Sequence, residues 1–397
     1  MKILVLNSGS SSLKCQYFIG RRSMASVVVE RIGEAVGESR IVYGEKRMGE
    51  TAAVEDHHAA LDRILSLLQA SGVLLSLDEL DAVGHRVVHG GEKFNRPVRI
   101  TREVIEVIRS LIPLAPLHNP ANLEGIEAMY AKRPNLPQVA VFDTAFHQSM
   151  PEYAYTYPLP YRYKEEWGVR RYGFHGTSHA YVAKKAAAML GKEPGEANLI
   201  TLHLGNGASV TAIKAGRSID TSMGLTPLEG LMMGTRCGDI DAAILPFISR
   251  NHGMDIDSID KVLNKESGLK GICGTNDMRE VIRLADEGDE HASLALEMYV
   301  YRIKKYIGAY SAILEEVDAI VFTGGVGEHA SRVRQMVCRG LENSFGIVLD
   351  SEKNASLKEG EEAIHTKESR TAVLVVPTNE ELEIVLQTEA LLSDMLS

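Results

Sequence analysis

Apolar and polar positions along the chain fall into short strand-like runs separated by longer helical ones. Residues 2–6 (KILVL) and 13–18 (LKCQYF) are apolar and β-prone and flank NSGSSS, a run of turn formers, so the pattern predicts a hairpin with a phosphate-sized loop between its strands. The same device returns at 198–213, where NLITLHL and ASVTAI flank a glycine-rich GNG, which suggests two related halves. AVGHRVVHGG (82–91) and QVAVFDTAF (138–146) read as buried strands that end in polar residues, while 57–70 and 102–112 carry helical periodicity. After Pro151 a Tyr- and Pro-rich stretch (YAYTYPLPYRY) predicts an irregular connection, followed by a helix over SHAYVAKKAAAML begun by Ser178 or Thr177. Further on come a long amphipathic helix over 289–316, a buried strand in DAIVFTGG, and a strand, a loop and a terminal helix in LVVPTNEELEIVLQTEALLSDML.

This alternation is α/β, and 397 residues with 45% hydrophobic content suit two well-buried domains better than one. The boundary is expected near residue 150, giving 1–149 plus a terminal helix at 381–397, and 150–380. A formal net charge of -10 leaves no basic footprint for nucleic acid or an anionic membrane, and a small-molecule protein fits it better. Cys15, Cys237, Cys273 and Cys338 show neither a CxxC pair nor disulfide-like spacing, so a reducing cytoplasm is the expectation. No apolar run reaches the length of a membrane span, and the N-terminus starts on a strand pattern with no signal core.

Phosphoryl chemistry on a nucleotide needs backbone N–H groups around phosphates, a magnesium ligand, and cations on the transferring group. LNSGSSSLK (6–14) offers an anion-binding nest with Ser10, Ser12 and Lys14 as donors and Asn7 as a neutral ligand, or else a plain polar turn. HLGNG (203–207) repeats the device, with Gly205 and Gly207 permitting close approach of an anion. FTGGVGEHA (322–330), followed by FGIVLD ending in Asp350, mimics a dinucleotide fingerprint, and no Walker A pattern occurs. Arg86 and Arg236 lie beside glycines, where a guanidinium can reach a bound oxyanion or simply form a surface ion pair. Asp143 follows an apolar strand, as ligand-facing or capping aspartates both do. His175 and His179 have i,i+4 spacing but no HExxH context, and His85 and His89 read as packed or hydrogen-bonded histidines. Glu380 and Glu381 either reach a metal or open the last helix as its acidic first turn.

Taken in order, LNSGSSSLK, GHRVVHGGEKF, APLHNP, VFDTAFH, RYGFHGTSH, HLGNGASV, TSMGLTPLEGLMMGTRCGDID, FTGGVGE and VPTNEEL resemble the motif set of the acetate kinases, from residue 2 to about 385. The resemblance implies two similar ribonuclease-H-like α/β domains with the active site in the cleft between them, and reversible transfer of a phosphoryl group between ATP and acetate, giving acetyl phosphate and ADP. It implies Mg2+, with Mn2+ as a substitute, on Asn7 and Glu380. ATP or ADP would be contacted by Lys14, by His203, Leu204, Gly205, Asn206 and Gly207, by Asp277, Met278 and Arg279, and by Gly325, Val326, Gly327, Glu328 and His329. Arg86 would bind the acetate carboxylate, and His175 and Arg236 would stabilise the phosphoryl group in flight. Asp143 would be the essential acid, as base, metal organiser or, the reading favoured here, positioner of arginine, because a carboxylate nucleophile is already ionised at neutral pH. Val88, Leu117, Phe174 and Pro227 would form an apolar wall suited to one methyl group, with propionate kinase the nearest alternative. Most members form homodimers, and that too is carried over. His329 departs from the family's usual asparagine and leaves the base preference open.

Overall fold

The computed structural model describes residues 1–395. The chain divides into two units, one comprising Met1–Phe146 with the chain from Asn379 on, the other His147–Thr378. In the first unit β1 (Lys2–Gly9) and β2 (Ser12–Ile19) pair antiparallel out to Gly9 opposite Ser12. Only Ser10 and Ser11 remain in the turn, so the expected open loop is instead a tight two-residue hairpin, because ladder pairing continues to its tip. β3 (Arg22–Glu30), β4 (Gly37–Tyr43) and β5 (Lys46–Ala52) extend the sheet on one side, and β6 (Ala82–Val87), β7 (Val98–Arg99) and β8 (Gln138–Phe142) on the other. The order is β5-β4-β3-β2-β1-β6-β8-β7, with β6 parallel to both β1 and β8.

Alternate residues of β1 serve opposite faces of this sheet, as a pleated strand requires. Leu4 and Leu6 join Val27, Val29 and Ile41 under α1 (His57–Ala70), whose Leu61, Ile64 and Leu68 complete that core. Ile3 and Val5 face the C-terminal helix, Glu380–Asp394, through Ile384 and Val385. That helix lies so close to β6 that a Cβ on Gly84 would come within 2.6 Å of Ile384 Cγ2. α2 (Arg102–Ser110) and α3 (Asn119–Lys132) occupy the β6 to β8 segment.

The second unit repeats the central order. β9 (Leu199–Leu204), β10 (Ala208–Lys214) and β11 (Arg217–Thr221) form an antiparallel meander, and β12 (Ala319–Thr323), β13 (Glu362–Ala363) and β14 (Ala372–Val375) complete a sheet ordered β11-β10-β9-β12-β14-β13, with β12 parallel to β9 and β14. Thus β3-β2-β1-β6-β8 and β11-β10-β9-β12-β14 share one order and one set of strand directions, as the echoed hairpin patterns predict. Four helices of this unit matter below: α4 (Gly176–Met189), α5 (Met278–Asp286), α6 (Glu290–Leu314) and α7 (Gly324–His329). α4 starts earlier than Thr177 or Ser178: its N-cap is His175, held in the left-handed region at φ 56°, because the Ser178 hydroxyl is taken by His203 and Thr378 instead of by backbone. The glycine run after β12 is itself the short helix α7, closed by Glu328, which accepts from Gly324 N at 2.9 Å. Asp350 caps a later helical turn by accepting from Glu352 N and Lys353 N, so the dinucleotide reading of FGIVLD finds no ribose-facing carboxylate there. Among the described residues no helix is long and apolar enough to cross a membrane.

Candidate active site

In the first unit the strand register does the assembling. Asn7 on β1 lies opposite Lys14 on β2 and Arg86 on β6, so three polar side chains that are far apart in sequence share one row at the strand ends. Asp143 follows β8 directly, its N–H donating to Val87 O at 3.0 Å. Arg86 Nη2 donates to Asp143 Oδ2 at 2.6 Å and Nε to Asp143 Oδ1 at 3.2 Å, while Nη1 donates to Asn7 Oδ1 at 3.2 Å. Glu380, in the first turn of the C-terminal helix, places a carboxylate oxygen 3.9 Å from Arg86 Nε. Burial works against the charge on Arg86, but Asp143 and Glu380 outweigh it and raise its pKa. The Glu380 carboxyl is pushed up to about 7, by burial first, with Asp143 and Glu381 adding to the rise and Arg86 and Lys14 opposing it. Ser10 sits exposed at the hairpin tip and Ser12 is paired within β2 opposite Gly9.

The exit of β6 is clamped by two asparagines of α3 that sequence reasoning passed over. Asn122 accepts from Val88 N at 2.9 Å and donates to Ser8 O at 2.8 Å, and Asn119 both accepts from His89 N and donates to His89 O. Val88 is thereby fixed and buried, whereas Leu117, placed in the same apolar wall by the sequence reading, is 57% exposed. Helix α3 begins with the HNP triplet, and that Asn-Pro helix start was the available signal. His85 behaves as a packed histidine: its Nε2 meets Gln138 Oε1 at 2.7 Å, and burial drops its pKa to about 4.

In the second unit the GNG hairpin joins β9 to β10. A Cβ on Gly207 would stand 3.4 Å from Arg236 Nη1 and 3.5 Å from His175 Cε1, so the backbone of this glycine, the guanidinium and the imidazole converge. Arg236 donates to Pro227 O at 2.8 Å and makes no ion pair among the described residues. Half-buried without a counter-ion, it has a pKa lowered by desolvation. His175 stacks on His203, centroids 4.2 Å apart. His203, Leu204 and Gly327 lie in or under the strand ends, and Glu328 is spent on closing α7 and on Thr378 N. Phe174 is buried beside His175.

The loop that carries Pro227 and Arg236 is anchored by a polar network with no sequence signature. Arg171 donates to the carbonyls of Thr221, Ser222 and Met223 and, at 2.7 Å, to Glu229. The Tyr157 hydroxyl also donates to Glu229, and Tyr306 on α6 donates to Asp239 at 2.8 Å.

Beside the hairpin lies a cavity of about 730 Å³, lined by Gly205, Asn206, Asp277, Met278, Arg279, Gly325, Val326 and His329 among the expected residues, and by Leu269, Asn276, Ile282, Tyr299 and Ala330 besides. Such a mix of apolar walls and a few convergent polar groups suits a nucleoside. Asp277 is occupied locally, accepting from Arg279 Nη2 at 2.6 Å while capping α5. Asn206 is pinned by Asn276 Nδ2 at 3.0 Å and by Gly234 N on its carbonyl.

Across residues 2–386 the chain matches the acetokinase family. It is 65% identical over 393 residues to an acetate kinase of Sulfurovum sp. (strain NBC37-1), covering 99% of each chain. Among solved structures it resembles Porphyromonas gingivalis acetate kinase, with 46% identity, a TM-score of 0.94, and coverage of 98% of this chain and 99% of that one. It also resembles a propionate kinase from Francisella tularensis subsp. tularensis SCHU S4, with 43% identity, a TM-score of 0.92 and the same coverage. A match of this extent, on a fold with this repeated strand order and this convergence of Gly207, His175 and Arg236, means that the chain belongs to the acetokinase family, kinases that transfer phosphate to a carboxylate.

Proposed function

We propose that the protein transfers the γ-phosphoryl group of ATP directly to a carboxylate oxygen of acetate, giving acetyl phosphate and ADP, and runs the reverse reaction as well. The observation that carries this reading is Arg236, a half-buried guanidinium with no carboxylate partner among the described residues, beside His175 and the GNG hairpin and next to a nucleoside-sized cavity. A desolvated cation without a counter-ion favours an anionic ligand, and a transferring phosphoryl group supplies one. The acetate oxygen forms its bond to phosphorus as the bond from phosphorus to the bridging oxygen of ADP breaks, with no phosphoenzyme between. Arg86 holds the acetate carboxylate, Asp143 fixes the fork of Arg86, and His175 and Arg236 hold the equatorial phosphoryl oxygens. No general base is required, since acetate is ionised at neutral pH.

Asn7 and Glu380 would hold Mg2+, or Mn2+ in its place. The donor set fits: one carboxylate and one amide are sparse, and among the described residues no three His, Cys, Asp or Glu side chains form a cage, which suits an ion that keeps waters and shares phosphate oxygens. The Glu380 pKa is raised by burial first and by the neighbouring carboxylates Asp143 and Glu381 next, and a divalent ion would offset both. When bound, the ion supplies charge neutralisation on the phosphates. Val88 limits the acyl chain, and propionate is the alternative acceptor, a reading supported by the likeness to a propionate kinase. A homodimer is part of the same proposal, in keeping with the exposed Trp167, Phe247 and Ile256 of the second unit.

Incubation with ATP, MgCl2, acetate and hydroxylamine should yield acetyl hydroxamate, and Arg236→Ala should abolish most of it. Nucleotide binding without any acetate-dependent product would overturn the assignment.

A further inference from the structure

Four side chains of the second unit form an unbroken hydrogen-bonded line. Thr201 Oγ1 on β9 lies 2.7 Å from His179 Nδ1; His179 Nε2 lies 2.7 Å from Ser209 Oγ on β10; and Ser209 Oγ lies 2.9 Å from His175 Nδ1. The i,i+4 spacing of His175 and His179 places them one helical turn apart, with a serine hydroxyl between them and both nitrogens of His179 engaged. Thr201, Ser209 and His179 are wholly buried.

Proton counting gives this line a direction. Burial, with His147 and His203 as neighbours, holds His179 well below the usual imidazole range, so it is neutral and has one N–H and one lone pair. Its two hydroxyl partners must therefore act in opposite senses. Ser209 has a single proton and cannot give it to both rings. An arrangement in which both rings donate to Ser209 strands its buried hydroxyl proton, since among the described residues Ser209 Oγ meets only His179 and His175; two arrangements remain. In one, Thr201 O–H donates to His179 Nδ1, His179 Nε2–H to Ser209, and Ser209 O–H to His175 Nδ1, which leaves the His175 proton on Nε2. In the other every bond is reversed, His175 carries its proton on Nδ1, and the Thr201 hydroxyl becomes an acceptor whose own proton points into the interior. Among the described residues Thr201 Oγ1 has no other hydrogen-bond partner than His179, so the second arrangement strands a buried donor. The first leaves none stranded. Among the groups near His175 are His203 stacked on its face, Arg236 near Gly207, and His179 through Ser209.

We propose that Thr201, His179 and Ser209 are positioning residues that lock His175 as the neutral tautomer with its proton on Nε2, so that it meets the phosphoryl group as a hydrogen-bond donor without adding a full charge. The proposal rests on the carboxylate-kinase reading for its catalytic consequence but not for the tautomer itself. His175 has the left-handed N-cap conformation and bonds Ser209 on β10 from there.

The decisive measurement is the pair of ring 15N shifts of His175 in the full-length protein without nucleotide, above the titration of that ring, with the signal assigned by its loss in His175→Gln. Wild type should show a protonated Nε2 and a hydrogen-bonded, unprotonated Nδ1. Thr201→Val, which keeps the shape and removes the directing donor, should mix in the Nδ1–H form and lower kcat several-fold. Ser209→Ala should lower kcat about 10- to 100-fold with the KM values for ATP and acetate little changed, the scale on which a lost orienting partner misplaces a reacting group. Thermal unfolding within a few degrees of wild type would separate this from loss of fold. A wild-type His175 carrying its proton on Nδ1, or an undiminished kcat in folded Ser209→Ala, overturns the proposal. A wild type that makes no acyl phosphate overturns the functional reading while the shifts still decide the tautomer.

Discussion

Arg86 engages both carboxylate oxygens of Asp143, with Nη2 to Oδ2 at 2.6 Å and Nε to Oδ1 at 3.2 Å, and turns its remaining nitrogen to Asn7. A carboxylate so occupied is suited to aiming a guanidinium, and its lone pairs are not spare for proton abstraction. Asp143→Asn keeps one acceptor but sets an NH2 group against the fork. We expect kcat/KM for acetate to fall about 10- to 100-fold, the worth of a hydrogen bond between charged groups. The shape of the pH–rate profile should be unchanged. Disappearance of its acid limb in the variant would make Asp143 a base instead.

Glu380 predicts a pH dependence of stability in the metal-free protein. Its pKa rises from 4.5 to about 7 on folding, so the folded chain binds that proton more tightly than the unfolded one. The stabilisation is therefore fully present below about pH 4.5 and is lost as pH rises through about 7. Glu380→Gln, which cannot ionise, should gain about 1–3 kcal/mol over wild type as pH climbs through that window, read by urea unfolding. Magnesium affinity of the wild type should rise over the same interval, since the ionised carboxylate is the ligand. A stability difference that stays constant from about pH 4.5 to 8 would remove Glu380 as the titrating group.

How far the sequence carried this picture depends on range. Both hairpins, the strand at 138–142 and the helix at 57–70 are written in local periodicity, and the parallel rows that bring Asn7, Lys14 and Arg86 together follow once the strands are placed. Helix starts were less legible. Ser178 looks like a cap, but its hydroxyl is claimed by His203, 25 residues on, and no local pattern encodes such a competition. The same holds for Asn122 reaching back to Ser8 and for Arg171 gathering the carbonyls of Thr221 to Met223. Each is a single side chain satisfying distant backbone, which leaves composition and spacing unchanged. Leu117, an apolar residue in a family motif, is largely exposed, and the local pattern of apolar positions does not show that.

Arg236 should trade activity against stability in an unusual way. Burial lowers its pKa and no carboxylate among the described residues offsets that cost, so its charge is a burden to the folded chain. Arg236→Met should destabilise the protein by no more than about 1 kcal/mol, the share of the Pro227 carbonyl left without its donor. Its kcat should nevertheless fall about 100- to 1000-fold, as when one preorganised donor is removed from a transition state. Denaturant unfolding and initial rates on the same preparation check both halves. A large stability loss would mean that Arg236 has a structural partner, and an effect on KM alone would move it to ground-state binding.

Val88 is the residue on which acyl-chain length should turn. It is 6% exposed at the exit of β6, and its N–H is held by Asn122, which fixes the backbone from which its branched side chain projects. The next residue but one upstream along the strand is Arg86, which we assign to the carboxylate, so a short acyl chain anchored there would run into the space Val88 controls. Val88→Ala removes two methyl groups and should cost about 2 kcal/mol of stability at a buried site. In exchange the ratio of kcat/KM for propionate to that for acetate should rise about 10- to 100-fold, because one methylene in an apolar pocket is worth only about 1–3 kcal/mol. The gain should appear mainly in KM, since the reacting carboxylate stays under Arg86 in both enzymes. Leu117→Ala, at an exposed position, should change the ratio far less, and butyrate should remain a poor substrate of both. Rates with the three acids for wild type and both variants decide it. If the propionate-to-acetate ratio does not move in Val88→Ala, the side chain does not face the substrate methyl, and selection of acetate over propionate must lie elsewhere.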